Sequence, residues 1–210
     1  MKRWEEKSKH KFKEDEEEEN DEKEISFLEK VNNQLYFYSD IEQDKNLQLN
    51  KTLRELGGEL LSSQKELNLI EPPNIYLHIN SGGGCVFSGL STADEILRSS
   101  IPVITIVDGC AASAATLISV VGKKRYINRH AFMLVHQISS YMGWGKHTEF
   151  KDETQSLDNI MKIIRGIYKE HTKVPTKKLN EILRHDIWWD AETCLRYGLV
   201  DEIIGGKNGI

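Results

Sequence analysis

The stretch with the most chemical potential is Asp108-Gly109-Cys110-Ala111-Ala112-Ser113-Ala114-Ala115-Thr116. It joins an apolar, β-branched run over 103–107 to an apolar segment over 117–121 that Gly122 closes. Small residues on both sides of Ser113 let backbone pack closely around one hydroxyl. At a strand-to-helix turn that hydroxyl sits at a helix N-terminus, where N–H groups and the dipole favour negative charge. Two uses fit: a nucleophile with a sheltered oxyanion, or an N-cap serine on a well-packed helix.

A serine nucleophile needs a base, and the base works best when a third group orients it. His136 follows the apolar run Phe132-Met133-Leu134-Val135, at a strand end. Asp186 lies in Arg184-His185-Asp186-Ile187-Trp188-Trp189, between two helical segments. Each has an ordinary explanation as well, a partly buried polar side chain or a loop cap. Lys123 and Lys124 are alternative bases, but they lie beyond the helix that Ser113 starts. Gly82-Gly83-Gly84 follows another predicted strand and lets N–H groups converge on one point without side-chain obstruction. As an oxyanion hole, the N–H of Gly84 would join that of Ala114. As a phosphate cradle it lacks the Lys-Ser/Thr of a P-loop and the G-x-G-x-x-G spacing. A plain tight turn also fits.

These residues need elements to carry them. Strands are expected over 35–38, 74–79, 103–107, 131–135 and 199–204. Helices are expected over 44–63, interrupted or kinked at Gly57-Gly58, over 88–98, and over 148–171. Two shorter ones follow, one capped by Thr176 and running to Leu183, one over 191–197 ended by Gly198. The segment 137–146 is polar and glycine-containing and reads as a loop or short hairpin. Strands alternating with helices imply an α/β architecture with helices packed on a sheet.

The chain of 210 residues is 39% hydrophobic and 29% charged, with a net charge of -5, enough for one main core. That mild acidity argues against nucleic-acid binding by phosphate neutralisation. Cys85, Cys110 and Cys194 match no metal-ligand spacing and no disulfide framework, which suits a reducing compartment. No window is long and apolar enough for a membrane span, and no apolar core of a secretory signal is present, so a soluble intracellular protein is expected. Residues 1–24 form a separate block, basic from Lys2 to Lys13 and acidic from Glu14 to Glu24, too polar to order itself. The expected division is a disordered tail over 1–24 and one domain over 25–210.

From 35 to 204 the chain resembles the ClpP family, the proteolytic subunits of Clp proteases. The landmarks, in order, are Ile79-Asn80-Ser81-Gly82-Gly83-Gly84 with Gly89, then Gly109-Cys110-Ala111-Ala112-Ser113. Met133-Leu134-Val135-His136-Gln137 follows, then Asp186, Ala191-Glu192 and Tyr197-Gly198-Leu199-Val200-Asp201. The resemblance implies a ClpP/crotonase-like fold with a protruding handle helix, here 148–171. It implies a serine endopeptidase with Ser113 as nucleophile, His136 as base and then acid, and Asp186 as the orienting carboxylate. The N–H groups of Gly84 and Ala114 would form the oxyanion hole. It further implies stacked heptameric rings, an AAA+ Clp ATPase that feeds unfolded polypeptide and alone uses ATP, no cofactor or metal in this subunit, and a cytoplasmic or organellar location.

Departures from the family pattern are Gly82 for a proline, Ala114 for a methionine, Ile138 for a proline, and His185 for an arginine. His78 stands where an aromatic helps form the family's unfoldase-docking pocket. Competing readings are a catalytically silent ring subunit and a crotonase-type enzyme acting on acyl-CoA thioesters.

Overall fold

The computed structural model describes residues 26–141 and 143–205, so the charged tail over 1–24 lies outside the described residues. The first two elements are a hairpin of β1 (Leu28–Val31) and β2 (Gln34–Phe37). Asn32 turns it at φ 55, a left-handed conformation that asparagine tolerates. β1 buries only Leu28, which is why no alternation marks it in the sequence.

Helix α1 (Gln43–Glu66) buries Leu49, Leu53, Leu56 and Gly57 along one stripe. It runs unbroken through Gly57-Gly58, contrary to the interruption expected there. Each glycine costs an exposed helix about 1 kcal/mol, but burial of the leucine face outweighs it. A methyl group at Gly57 would just touch Ile101, at 3.9 Å.

Strand β3 (Ile75–Ser81) alternates buried Ile75, Leu77, Ile79 and Ser81 with half-buried Tyr76, His78 and Asn80. Helix α2 (Val86–Arg98) returns the chain to β4 (Val103–Ala112), which is ten residues long, twice the expected run. Helix α3 (Ala114–Val120) is buried along its whole length. Beyond it come β5 (Lys124–Asn128), which the sequence did not signal, and β6 (Phe132–Leu134).

Helix α4 (His147–His171) has 25 residues, yet only Met161, Ile164 and Tyr168 are buried, so its N-terminal half stands away from the core. Helix α5 (Thr176–Ile182) is preceded by Pro175 at the N-cap position, so Thr176 is inside the helix and does not cap it. An unexpected short strand β7 (Trp188–Asp190) leads into α6 (Ala191–Arg196), where the Asp190 carboxylate accepts from Thr193 N–H at 2.9 Å. Gly198 ends this helix at φ 68, and β8 (Glu202–Ile204) completes the sheet.

The strand order is β1-β2-β3-β4-β5-β8, parallel apart from the β1–β2 pair. Strand β4 changes partner along its length. Its first half pairs with β5 up to Val107↔Ile127, and its last three residues pair with β6 from Cys110↔Phe132 to Ala112↔Leu134. β6 in turn pairs antiparallel with β7. This branch opens the sheet at the carboxyl end of β4, where open α/β sheets place their sites. The Arg125 guanidinium clamps β5 to β8 through Asp201, at 2.6 Å, and holds that carboxyl below the usual range.

Candidate active site

Strand register brings the distant residues together. Ser113 follows β4 directly, and its N–H donates to Leu134 O at 2.9 Å, extending the β4–β6 ladder by one step. His136 lies two residues past Leu134. In the antiparallel β6–β7 pair, Leu134 faces Trp188, so two residues further on the register sets His136 opposite Asp186. His136 Nδ1 and Asp186 Oδ1 are 3.2 Å apart. With Nδ1 turned to the carboxylate, Nε2 is the nitrogen left for the cleft. Gln137 N–H donates to Leu183 O at 2.8 Å, tying the end of β6 to the loop that carries Asp186. The imidazole is mostly buried, while Asp186 is 77% exposed.

Ser113 occupies the N-cap position of α3, but its side chain makes no capping hydrogen bond, so the N-cap use of this serine is not realised. Its backbone has φ 54 and ψ -124, a conformation L-residues rarely adopt and one that costs roughly 1–3 kcal/mol. The hydrogen bonds of Ser113 among the described residues run through its backbone, leaving Oγ on the cleft.

The glycine turn packs against this corner. Ile41 N–H donates to Gly83 O at 2.6 Å and Cys85 N–H donates to Ile41 O at 2.8 Å. In a parallel bridge those bonds leave the N–H of Gly84 pointing the opposite way. Gly84 lines the same cleft as Ser113, Ala114 and His136. At Gly83, with φ 99, a Cβ would lie 2.6 Å from Ala112 O and 2.7 Å from Ser113 Cβ. Gly83→Ala is therefore expected to cost roughly 2–4 kcal/mol in chemical denaturation, from backbone strain plus overpacking, and to slow any chemistry at Ser113.

The cleft holds about 310 Å³. Val86, Leu117, Ile138, Ile164 and Tyr168 give it an apolar lining, and the segments on either side of it are 84–87 and 137–139. Thr116 and Tyr168 sit beneath the nucleophile turn and were not singled out in the sequence; their signal is Tyr168 on the buried stripe with Met161 and Ile164.

Cys85 also faces the cleft, exposed, with its thiol pKa lowered by hydrogen bonding from Ser88. Burial pushes the Cys194 thiol up to about 12. Timed iodoacetamide labelling followed by peptide mass spectrometry is expected to modify Cys85 well before Cys194.

Lys124 pairs with Glu202 at 3.0 Å and sits over the Tyr126 ring. It aligns with Ile104, nine residues before Ser113 on β4, or about 30 Å along a strand, so it is no base for that hydroxyl. His78 is stacked on Tyr36 and bonded to Asp108 at 2.9 Å, on the half-buried sheet face. His185 lies exposed next to Asp186.

The fold is thus a branched, mostly parallel α/β sheet whose opening is lined by Ser113, His136, Gly84 and Ala114, with the Asp186 carboxylate 3.2 Å from the imidazole. Comparison with known proteins gives it a family. The sequence profile of Clp protease matches residues 30–207. An ATP-dependent Clp protease proteolytic subunit of Streptococcus mutans is 34% identical over 134 residues, 62% of this chain and 68% of that protein. Its counterpart from Lactococcus lactis subsp. cremoris is 32% identical over 134 residues, 62% and 67% of the two chains. Among solved structures, a point mutant of ClpP1 from Listeria monocytogenes superposes with a TM-score of 0.71 at 23% identity, covering 85% of this chain and 94% of that one. This last match speaks for the fold. The chain belongs to the Clp protease family, whose proteolytic subunits are serine proteases.

Proposed function

We propose that this chain is a serine endopeptidase that cleaves unfolded polypeptide inside an oligomeric chamber. The observation that carries the proposal is that strand register puts Ser113 and His136 on the lining of one cleft, with Asp186 3.2 Å from His136 Nδ1. His136 Nε2 takes the proton from Ser113 Oγ as that oxygen attacks the scissile carbonyl carbon. Asp186 holds the imidazole by Nδ1 and stabilises the imidazolium. The carbonyl oxygen gains the negative charge, and the N–H groups of Gly84 and Ala114 receive it. His136 then gives its proton to the leaving amine as the C–N bond breaks, leaving an acyl-serine. Water repeats the sequence, with His136 again base and then acid, and frees the carboxylic acid product.

The substrate lies extended between the segments 84–87 and 137–139, adding a strand by backbone hydrogen bonds, with a side chain in the apolar cleft. Helix α4, whose N-terminal half leaves the core, is the handle that joins two stacked heptameric rings. An AAA+ Clp ATPase delivers the chain and uses the ATP; the peptidase subunit itself needs no cofactor. Sequestration in a chamber, in cytoplasm or an organelle, keeps a broadly specific peptidase from folded proteins.

Apo triads commonly have long or poorly aligned bonds that tighten around substrate, as the 3.2 Å His136–Asp186 contact would. A fluorophosphonate probe with peptide mapping tests the reading. An adduct on Ser113 is expected; no adduct, with a second related subunit co-purifying, would replace it with a catalytically silent ring member.

A further inference from the structure

Beneath Ser113 lies a chain of buried hydroxyls that the peptidase mechanism above does not use. Thr116, in the first turn of α3, is fully buried, and Tyr168 of α4 is 2% exposed. With water excluded, their hydroxyls must find partners in the protein. Tyr168 Oη meets Thr116 Oγ1, and Thr116 Oγ1 meets Ser113 O at 2.5 Å. A threonine hydroxyl has one proton. Since the carbonyl can only accept, that proton goes to Ser113 O, and Tyr168 is the donor to Thr116. Burial pushes the Tyr168 phenol above its ordinary pKa, so it keeps its proton. Ser113 O also accepts from Thr116 N–H at 3.0 Å, and so carries two donors from one residue.

Ser113 O and Ala114 N–H belong to one planar trans peptide and point in opposite directions. Fixing the oxygen fixes the aim of the N–H. That plane is also under strain, because it follows a non-glycine residue at φ 54 and ψ -124, far from the usual basins. We propose that Tyr168 and Thr116 are positioning residues, whose hydroxyl chain holds the Ser113–Ala114 peptide so that Ala114 N–H faces the oxyanion. This rests on the peptidase reading of the cleft. It gives α4 a second role: the helix that stands out from the core also reaches, through its buried stripe, the peptide that sets the oxyanion hole. Ile164, one turn before Tyr168, lines the same cleft, and Met161 Sδ accepts from Ile138 N–H at 3.3 Å in the cleft wall.

The test is steady-state peptide cleavage by the full chain. Tyr168→Phe, which removes one oxygen, is expected to lower kcat about tenfold with KM within about twofold. Thr116→Val should lower kcat about 30- to 100-fold, and Thr116→Ser, which keeps the hydroxyl, should bring it back to within about threefold of the native rate. Because the hydroxyls act in series, the double variant Thr116→Val with Tyr168→Phe should be no slower than Thr116→Val alone. A native kcat in Tyr168→Phe, a loss carried by KM, independent addition in the double variant, or Thr116→Ser as slow as Thr116→Val would each overturn the proposal. If near-UV circular dichroism finds Tyr168→Phe unfolded, Thr116→Val against Thr116→Ser decides.

Fluorophosphonate labelling separates this failure from failure of the peptidase reading. Equal labelling rates at Ser113 in the native chain and Tyr168→Phe overturn the positioning role alone. An unlabelled native chain, with cleavage unchanged in Ser113→Ala, overturns both.

Discussion

Ser113→Ala is expected to reduce peptide cleavage by about 10⁴-fold or more while the protein stays folded. Its hydroxyl makes no capping hydrogen bond, and its backbone is held by Leu134 O and by Thr116. Alanine keeps every one of those backbone bonds, so the loss belongs to chemistry and leaves denaturant midpoints nearly unchanged. What remains would be catalysis by the two amides and by substrate positioning alone. Cleavage of a fluorogenic peptide, measured beside an unfolding curve, checks both halves of the expectation. A rate near that of the native protein would point to another nucleophile.

His136→Ala is expected to cost a similar factor, because the serine then has no group to take its proton. Lys124 cannot substitute, since it is engaged with Glu202 at the far end of β4. Residues that act as one unit are not additive, so the double variant Ser113→Ala with His136→Ala should be no slower than either single variant. Comparing kcat across the three proteins reads this directly; a further large drop in the double variant would mean that the two residues work separately. Asp186→Asn should fall between these and the native rate, because the carboxylate orients the imidazole and is itself 77% exposed to solvent.

Helices with a periodic apolar face and strands with a continuous apolar run were legible before the structure: α1, α2, α4, β3 and the first half of β4. The elements that escaped carry little such signal. β1 buries one residue of four, β5 has only Ile127 fully buried, and β7 is a three-residue strand whose two tryptophans are not buried. Gly57-Gly58 misled because its local cost is small beside the burial of the α1 leucine stripe. Thr176 misled because Pro175, with its fixed φ, takes the cap position instead.

The site divides the same way. The serine turn and the glycine triplet are local, and their residue types already suggest a crowded corner with exposed amides. The proposed meeting of residues 113, 136 and 186 is non-local. It depends on β4 extending five residues past its apolar run to pair with β6, and on β7, which has no sequence signature. Only the likeness to a family supplied that convergence in advance. Thr116 and Tyr168 stayed hidden because a buried hydroxyl on an apolar stripe looks like core until its partner is known.

The central claim is that these two registers place an imidazole nitrogen within reach of the Ser113 hydroxyl around one substrate carbonyl. A peptide chloromethyl ketone tests it in one measurement, because its carbonyl adds the serine oxygen while its methylene, losing chloride, alkylates the histidine. A crystal structure of the inactivated protein is expected to find one inhibitor bridging Ser113 Oγ and His136 Nε2, its oxyanion facing Gly84 and Ala114. An inhibitor joined to any other pair of residues, or to Cys85 alone, would contradict the account.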